Sequence, residues 1–372
     1  MNHPECERCA LHKSANNVGI GGNGDEHPDV LVVMDYITWM EDRDGVACHP
    51  DGQATSILRS LCESVAEQTG LKFRFTTAVR CAPTEQGDNG KTKSRTPTVK
   101  EMNACLPWLL EEIQETNPGV VMLAGSTALK AVLGKDCRIG DMRGNPVWRE
   151  DRVYLPTYHP TNMLPTRAGQ TRHSLTTPDQ FQEMIIQDVC TAANIAAGTQ
   201  TKPEEVEWKI VGSKAEALEV LAELQSAQDG VSMVALDIET NTFDDTEVDN
   251  IFKPGLKILC VGLSWENNVS YVIPLEQDDC PYKDDYEFQR AFIHALWKLK
   301  CKFALQNGIY DFVALHLRYG VEPFHPYHDT LLMHHLLWSH LPHSLREMAK
   351  TYTPFGGYDD EVKTLVASLP RK

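Results

Sequence analysis

Apolar residues along the chain alternate between short unbroken runs and stripes at helical spacing. The run from Asp29 to Met34 reads as a buried strand, and Phe73–Val79, Val120–Leu123 and Val153–Pro156 read the same way. Between them, Ala54–Thr69 carries Ile57, Leu58, Leu61, Val65 and Ala66 on one helical face. Residues Thr98–Glu115 predict a helix whose Thr98 and Glu101 match the capping-box pattern. Gly125 and Ser126 open another helix, and a polar loop is expected over 35–52. Residues 193–206 lack periodicity and combine small residues with Gly, Thr, Pro and charge, so they read as a domain boundary. A second series follows. Strands are expected at Trp208–Val211 and Met233–Ile238, with a helix at Lys214–Ala227 between them. A hairpin is expected from Ile258–Trp265 and Val269–Pro274. Helices are expected at Asp285–Leu299, Asp311–Tyr319, Asp329–His340 and Ser344–Tyr352.

Strands alternating with helices imply an α/β protein with helices on the faces of a parallel sheet. At 372 residues the chain is long enough for two domains. The expected division is 1–195, a linker at 196–206, and 207–372.

Charge then narrows the partners. The chain carries 35 Lys+Arg against 52 Asp+Glu, a net charge of −17. A global basic footprint for nucleic acid is absent, so any contact with DNA needs a local patch or metal ions. Lys91, Lys93 and Arg95 are a candidate phosphate contact, although a solvated charge run is the commoner meaning of such a string. No run of about 18 uncharged apolar residues exists, so no membrane span is expected. The N-terminal stretch has no apolar signal core, so a cytoplasmic protein is expected, in the bacterial host if the source is a phage. The 11 cysteines then fall in a reducing compartment, where ligation is a commoner use than disulfides.

Cys6 and Cys9 are spaced to bite one metal centre, with Cys81 after the second strand and Cys105 early in the Thr98 helix. Thiolates at such spacing suit zinc or an iron–sulfur cluster. The segments Cys6–Leu11, Arg80–Pro83, Arg95–Leu109, Val120–Gly125 with Ala128, Arg143 with Gly144, and Pro156–Pro160 together resemble the family-4 uracil-DNA glycosylases, in the same order over about residues 3–190. The resemblance implies a three-layer parallel-sheet domain that binds DNA, and a structural [4Fe–4S] cluster on Cys6, Cys9, Cys81 and Cys105. An insertion at Glu85–Ser94 widens the last spacing. Cys48, Cys62, Cys137 and Cys190 match no family ligand.

The glycosylase site carries over only in part. Asp35 stands where the family has Glu, and both glycines of that loop are replaced. The family's stacking Phe falls near Cys48 and His49, and its base-reading Asn aligns with Thr77, whose hydroxyl cannot reproduce an amide's donor–acceptor pair. His159 matches. The expectation is a domain kept for DNA binding or architecture, with an active uracil-DNA glycosylase using Asp35 and His159 as the alternative.

In the second half, strand alternation puts Asp237 and Glu239 on one face, where two carboxylates call for a cation between them. Asn307 and Asp311 lie four apart, expected on one face at a helix start. With His328, Asp329, Thr330 and the stretch Leu341–Tyr352, these resemble the 3′–5′ proofreading exonuclease of family-A DNA polymerases, an RNase H-like fold, over about residues 206–355. The resemblance implies Mg²⁺ or Mn²⁺ on Asp237, Glu239 and Asp311, Asn307 orienting a single-stranded 3′ end, and Asp329 in a supporting role. The family's third motif, Tyr-x3-Asp, is not met: four residues after Tyr352 and Tyr358 stand Gly356 and Val362. The whole then looks like the N-terminal part of a phage-type DNA polymerase, or a non-catalytic scaffold that docks a separate polymerase subunit.

Overall fold

The computed structural model describes residues 2–86, 92–149, 151–164, 177–227, 233–241, 251–252, 254–266, 268–322, 327–353 and 355–358. Lys91, Val362 and most of the tail after Thr353 lie outside them. The chain divides into two compact units, Met1–Pro203 with Arg346–Lys372, and Glu204–Leu345. Among the described residues each unit is built on one six-stranded sheet, and no helix is long and apolar enough to cross a membrane.

The first unit contains β1 (Asn23–Gly24), β2 (Val30–Tyr36), α1 (Trp39–Asp44), α2 (Gln53–Thr69), β3 (Phe73–Val79), α3 (Val99–Thr116), β6 (Val120–Ala124), α4 (Ser126–Leu133), α5 (Ile139–Met142), β7 (Val147–Trp148), β8 (Val153–Thr157) and α6 (Pro178–Ala196). A small ribbon of β4 (Thr84–Gln86) and β5 (Thr92–Ser94) occupies the expected insertion. The sheet order is β1-β3-β2-β6-β8-β7, with β3, β2, β6 and β8 parallel. Central strands of such a sheet are covered on both faces, and so their apolar runs are unbroken. Val30, Val32 and Met34 pack with Leu58 of α2 and Ile185 and Val189 of α6. Leu31 and Val33 pack on the other side with Leu109 and Ile113 of α3 and Leu129 of α4. The three layers expected from the sequence are present.

The second unit contains β9 (Glu207–Ile210), α7 (Lys214–Ala227), β10 (Met233–Thr240), β11 (Ile258–Glu266), β12 (Val269–Pro274), α8 (Tyr286–Trp297), β13 (Lys302–Leu305), α9 (Ile309–Tyr319), β14 (Tyr327–Asp329) and α10 (Thr330–Leu337). Its sheet runs β14-β13-β10-β11-β12-β9. The β10–β11 and β11–β12 pairs are antiparallel, and β10–β13 and β13–β14 are parallel. The sheet is therefore mixed, with antiparallel strands in its middle and parallel pairs at both edges.

The last helix, α11 (Leu345–Tyr352), differs from the sequence expectation, which grouped everything after residue 206. Arg346–Lys372 belongs to the first unit. The physical reason is charge: Glu347 and the buried Lys350 join a network with Arg143 and Asp188.

Candidate cysteine centre, base cleft and carboxylate site

The four N-terminal cysteines come together. Cys9 ends the arm just before a short 3-10 turn, Cys81 follows β3, and Cys105 projects from α3. With Cys6 they line one small cavity bordered by Arg8, Arg80 and Trp108. Two N–H groups aim at sulfur: Gly19 N donates to Cys81 Sγ at 3.4 Å, and Trp108 Nε1 donates to Cys6 Sγ at 3.4 Å. Burial, with added repulsion from the neighbouring cysteines, pushes the Cys81 thiol up to about 12. A thiol held that high gives up its proton when a cation takes the charge. Two buried and two half-buried cysteines, with N–H donors and nearby guanidinium groups, fit an iron–sulfur centre. Among the described residues no group of three or more His, Cys, Asp or Glu is arranged to hold one metal ion. A four-iron cluster asks for something else, because each thiolate binds its own iron and the sulfurs surround a body rather than a point.

The second site lies where open parallel sheets bind ligands, at the carboxyl ends of adjacent strands. Asp35 ends β2, Gly125 follows β6 and His159 follows β8. They border a cleft of about 320 Å³ with Tyr36, Tyr158, Ser126 and Asn162 in its walls. Asp35 Oδ1 accepts the amides of Thr127 at 2.7 Å and Ala128 at 3.0 Å, so its carboxyl caps the start of α4. Gly125 has φ +121°, and a side chain there would collide with the Asp35 carboxylate. Burial raises the Asp35 pKa, partly offset by His159. Burial lowers that of His159, partly offset by Asp35. The imidazole is therefore neutral. Its Nδ1 lies 2.9 Å from the Thr161 hydroxyl and 3.3 Å from the Thr161 amide, which hold the ring at the cleft.

Three residues that the sequence put near the base do not line the cleft. Cys48 is fully buried, with Sγ on Thr76 O at 3.3 Å, and the His49 amide is bound to Glu41 Oε1 at 3.1 Å. Thr77 is also buried, and its hydroxyl donates to Val79 O at 3.1 Å. The aromatic walls are Tyr36 and Tyr158 instead, the latter braced edge-on by Phe181 with ring centres 4.9 Å apart. The sequence pattern assigned neither tyrosine a role.

The third site is in the second unit. Along β10 burial alternates, with Asp237 and Glu239 on the exposed face and Leu236 and Ile238 in the core. Asp311 sits in the first turn of α9, 4% exposed, and accepts the Ile238 amide at 3.2 Å. Burial first, and the Asp237 charge next, push Asp311 up to about 7. Burial also raises Asp237, and burial with the Asp237 charge raises Glu239. Asp237 thus acts on both Asp311 and Glu239, and among the described residues no three of these acids converge on a single point. Asn307 corrects the sequence expectation. It precedes α9, whose N-cap is Gly308, and takes φ +58°, so it shares no helix face with Asp311. Asp329 does support structure: its oxygens accept the amides of Asn307 at 3.2 Å and Gly308 at 2.9 Å, and it caps α10. Sequence reading missed Tyr310, whose hydroxyl meets Thr240 Oγ1 at 2.8 Å beside Glu239.

Comparison with known proteins bears on both units. Residues 41–187 match the model of the uracil DNA glycosylase superfamily. A type-4 uracil-DNA glycosylase of Thermotoga maritima is 31% identical over 174 residues, which is 45% of this chain and 82% of that protein. A DNA polymerase of Bacillus phage SP01 is 23% identical over 287 residues, 72% of this chain and 29% of that protein. Of solved structures, the Trypanosoma brucei RNase D–GMP complex aligns at 16% identity over 36% of each chain, with a TM-score of 0.27. That score is too low to bear on function.

Proposed function

Since the chain belongs to the uracil DNA glycosylase superfamily, beside the type-4 enzymes, we propose that it works in DNA replication and repair as the front part of a phage-type family-A DNA polymerase. In this reading the second unit edits a single-stranded 3′ end. The first unit holds DNA and keeps a [4Fe–4S] cluster on Cys6, Cys9, Cys81 and Cys105, tying the N-terminal arm to the segment after β3.

The observation that carries the editing role is the mutual arrangement of Asp237, Glu239 and Asp311, with Asp311 pushed up to about 7 by burial and by Asp237. Acids so placed store repulsion that a divalent cation relieves. Mg²⁺ or Mn²⁺, when bound, polarises a phosphodiester oxygen and activates water. Asp237 and Glu239 present oxygens from one strand face, and Asp311 adds one from α9. Asn307 and Tyr310 flank them and orient the strand end. The test is shortening of a 5′-labelled single-stranded oligonucleotide by the complete protein in Mg²⁺. Loss of shortening in Asp237→Ala supports the assignment. Full shortening by that variant refutes it.

A second reading, base excision by the first unit, rests on His159. Its imidazole, held by Thr161, shares the cleft with Asp35. Such a ring can stabilise charge on a departing base. Release of free uracil from a deoxyuridine oligonucleotide, lost in His159→Ala, would support it. A wild-type chain that binds the oligonucleotide and releases nothing leaves the first unit as a DNA-holding module.

A further inference from the structure

We infer that the segment 346–358 is a positioning element of the first unit, bracing the wall of the base cleft from behind through a buried four-charge network. Arg143 is the hub. Its Nε donates to Asp188 Oδ2 at 3.1 Å, its Nη1 to Glu347 Oε2 at 3.2 Å and its Nη2 to Met184 O at 2.7 Å. Lys350 Nζ donates to the other oxygen of Glu347 at 2.9 Å. Two cations and two anions balance. The side chains of Arg143 and Asp188 are each 3% exposed and that of Lys350 only 1%. Buried charges persist where they are paired and hydrogen-bonded.

The network reaches the cleft by two routes. Asp188 Oδ2 accepts the Thr157 hydroxyl at 2.5 Å, and the next two residues are the cleft residues Tyr158 and His159. Beyond burial, Glu347 is the charge that most raises the Tyr158 phenol. On the other side, Arg346 Nη2 donates to Asp141 O at 3.0 Å, within the α5 turn that gives Ile139 to the cleft. The backbone is fitted to this packing. Gly144 takes φ +75°, and a side chain there would press on Asp188 and Lys350, while one at Gly356 would collide with the Asn145 amide. Thr351 adds a bond from its hydroxyl to Gln187 Oε1 at 3.2 Å. Residues more than 150 positions downstream of α6 therefore complete the support of Tyr158, His159 and Ile139.

That these residues handle a base rests on the reading above, so the test has two arms, both on the full chain. In the first, amide hydrogen exchange is followed at 139–145 and 157–163 in wild type, Glu347→Gln and Arg346→Ala. Exchange there is expected to quicken about tenfold, with peptides from β10 and β13 unchanged. Arg346→Ala leaves Arg143, Asp188, Glu347 and Lys350 in place while removing the bond to the Asp141 carbonyl, and so keeps the test available if Glu347→Gln fails to fold. Unaltered exchange at both stretches in a folded variant overturns the inference. In the second arm, affinity for a single-stranded oligonucleotide with one deoxyuridine is measured at a temperature where every variant is folded. Several-fold weaker binding by Glu347→Gln supports a positioning role. Wild-type affinity in a variant with quickened exchange reduces the segment to structure and also overturns it. If the wild type itself does not bind the oligonucleotide, the reading of the cleft fails, and exchange alone decides the bracing.

Discussion

Asp311 accepts the Ile238 amide at 3.2 Å, and that bond fastens the first turn of α9 to the strand that carries Asp237 and Glu239. A core-facing residue of β10 thereby holds a carboxyl against the two acids on the strand's other face. The cost of that arrangement is readable as acidity, stability and metal affinity.

The acidity of Asp311 gives the first prediction. Its carboxyl moves from 3.8 to about 7 on folding. Between those values the folded state holds a proton that the unfolded state has lost, so stability falls as pH rises and is flat above about 7. The loss is on the order of 4 kcal/mol. In metal-chelated buffer, urea unfolding of the second unit at pH 5 and pH 8 is expected to show this decline. Asp311→Asn is expected to flatten it and to be the more stable protein at pH 8. A wild-type unfolding curve independent of pH would contradict the prediction.

The cysteine centre makes a spectroscopic one. Protein purified without oxygen is expected to be brown, with broad absorbance at ~400 nm, and Cys81→Ala to be colourless. Trp108→Phe keeps the ring and removes the N–H aimed at Cys6 Sγ. It is expected to stay coloured but to hold iron roughly 10-fold less tightly, the usual loss for an outer hydrogen bond. Equal iron content and colour in Cys81→Ala would remove that residue from the centre.

Glu112 supplies a stability prediction beside that centre. Its carboxylate, 2% exposed, accepts Arg74 Nε at 2.7 Å, the Thr76 hydroxyl at 2.7 Å and Arg80 Nη2 at 2.6 Å. Glu112→Gln removes the carboxylate charge bonded to the Arg80 guanidinium, which is 1% exposed. The expected cost is about 3–5 kcal/mol. Thermal unfolding of the first unit is the measurement, and an unchanged midpoint would mean that the pair contributes no net stability.

The cleft gives a fourth. If the wild-type chain releases uracil, His159→Ala and Asp35→Asn should each slow release by about 100-fold or more. Unaffected release in both variants would place the chemistry elsewhere in the unit.

How much of this could be read from sequence follows from the range of the interactions. The strands β2, β3, β6 and β8 were legible because sheet interiors leave unbroken apolar runs, and α3 because Thr98 and Glu101 form the box their spacing suggests. Asp237 and Glu239 were legible because alternation in a strand is local. Helix α6 was overlooked, although Thr177 and Gln180 form a capping box and Phe181, Ile185, Val189 and Ala192 repeat along one face. The short α1 inside the expected polar loop went unseen for want of length. Asn307 was misplaced because Gly308, not Asn307, caps α9. Tyr36 and Tyr158 were out of reach for another reason: only the order β2-β6-β8 brings the ends of their strands to one cleft. The return of Glu347 to Arg143 spans about half the chain, and local pattern carries no trace of it.

Calorimetric titration of the full chain with Mn²⁺ tests most directly whether Asp237, Glu239 and Asp311 serve one cation. The expected result is a saturable site whose affinity falls about tenfold or more in Asp237→Ala and in Asp311→Asn. Titration curves for both variants that overlay the wild type would contradict it.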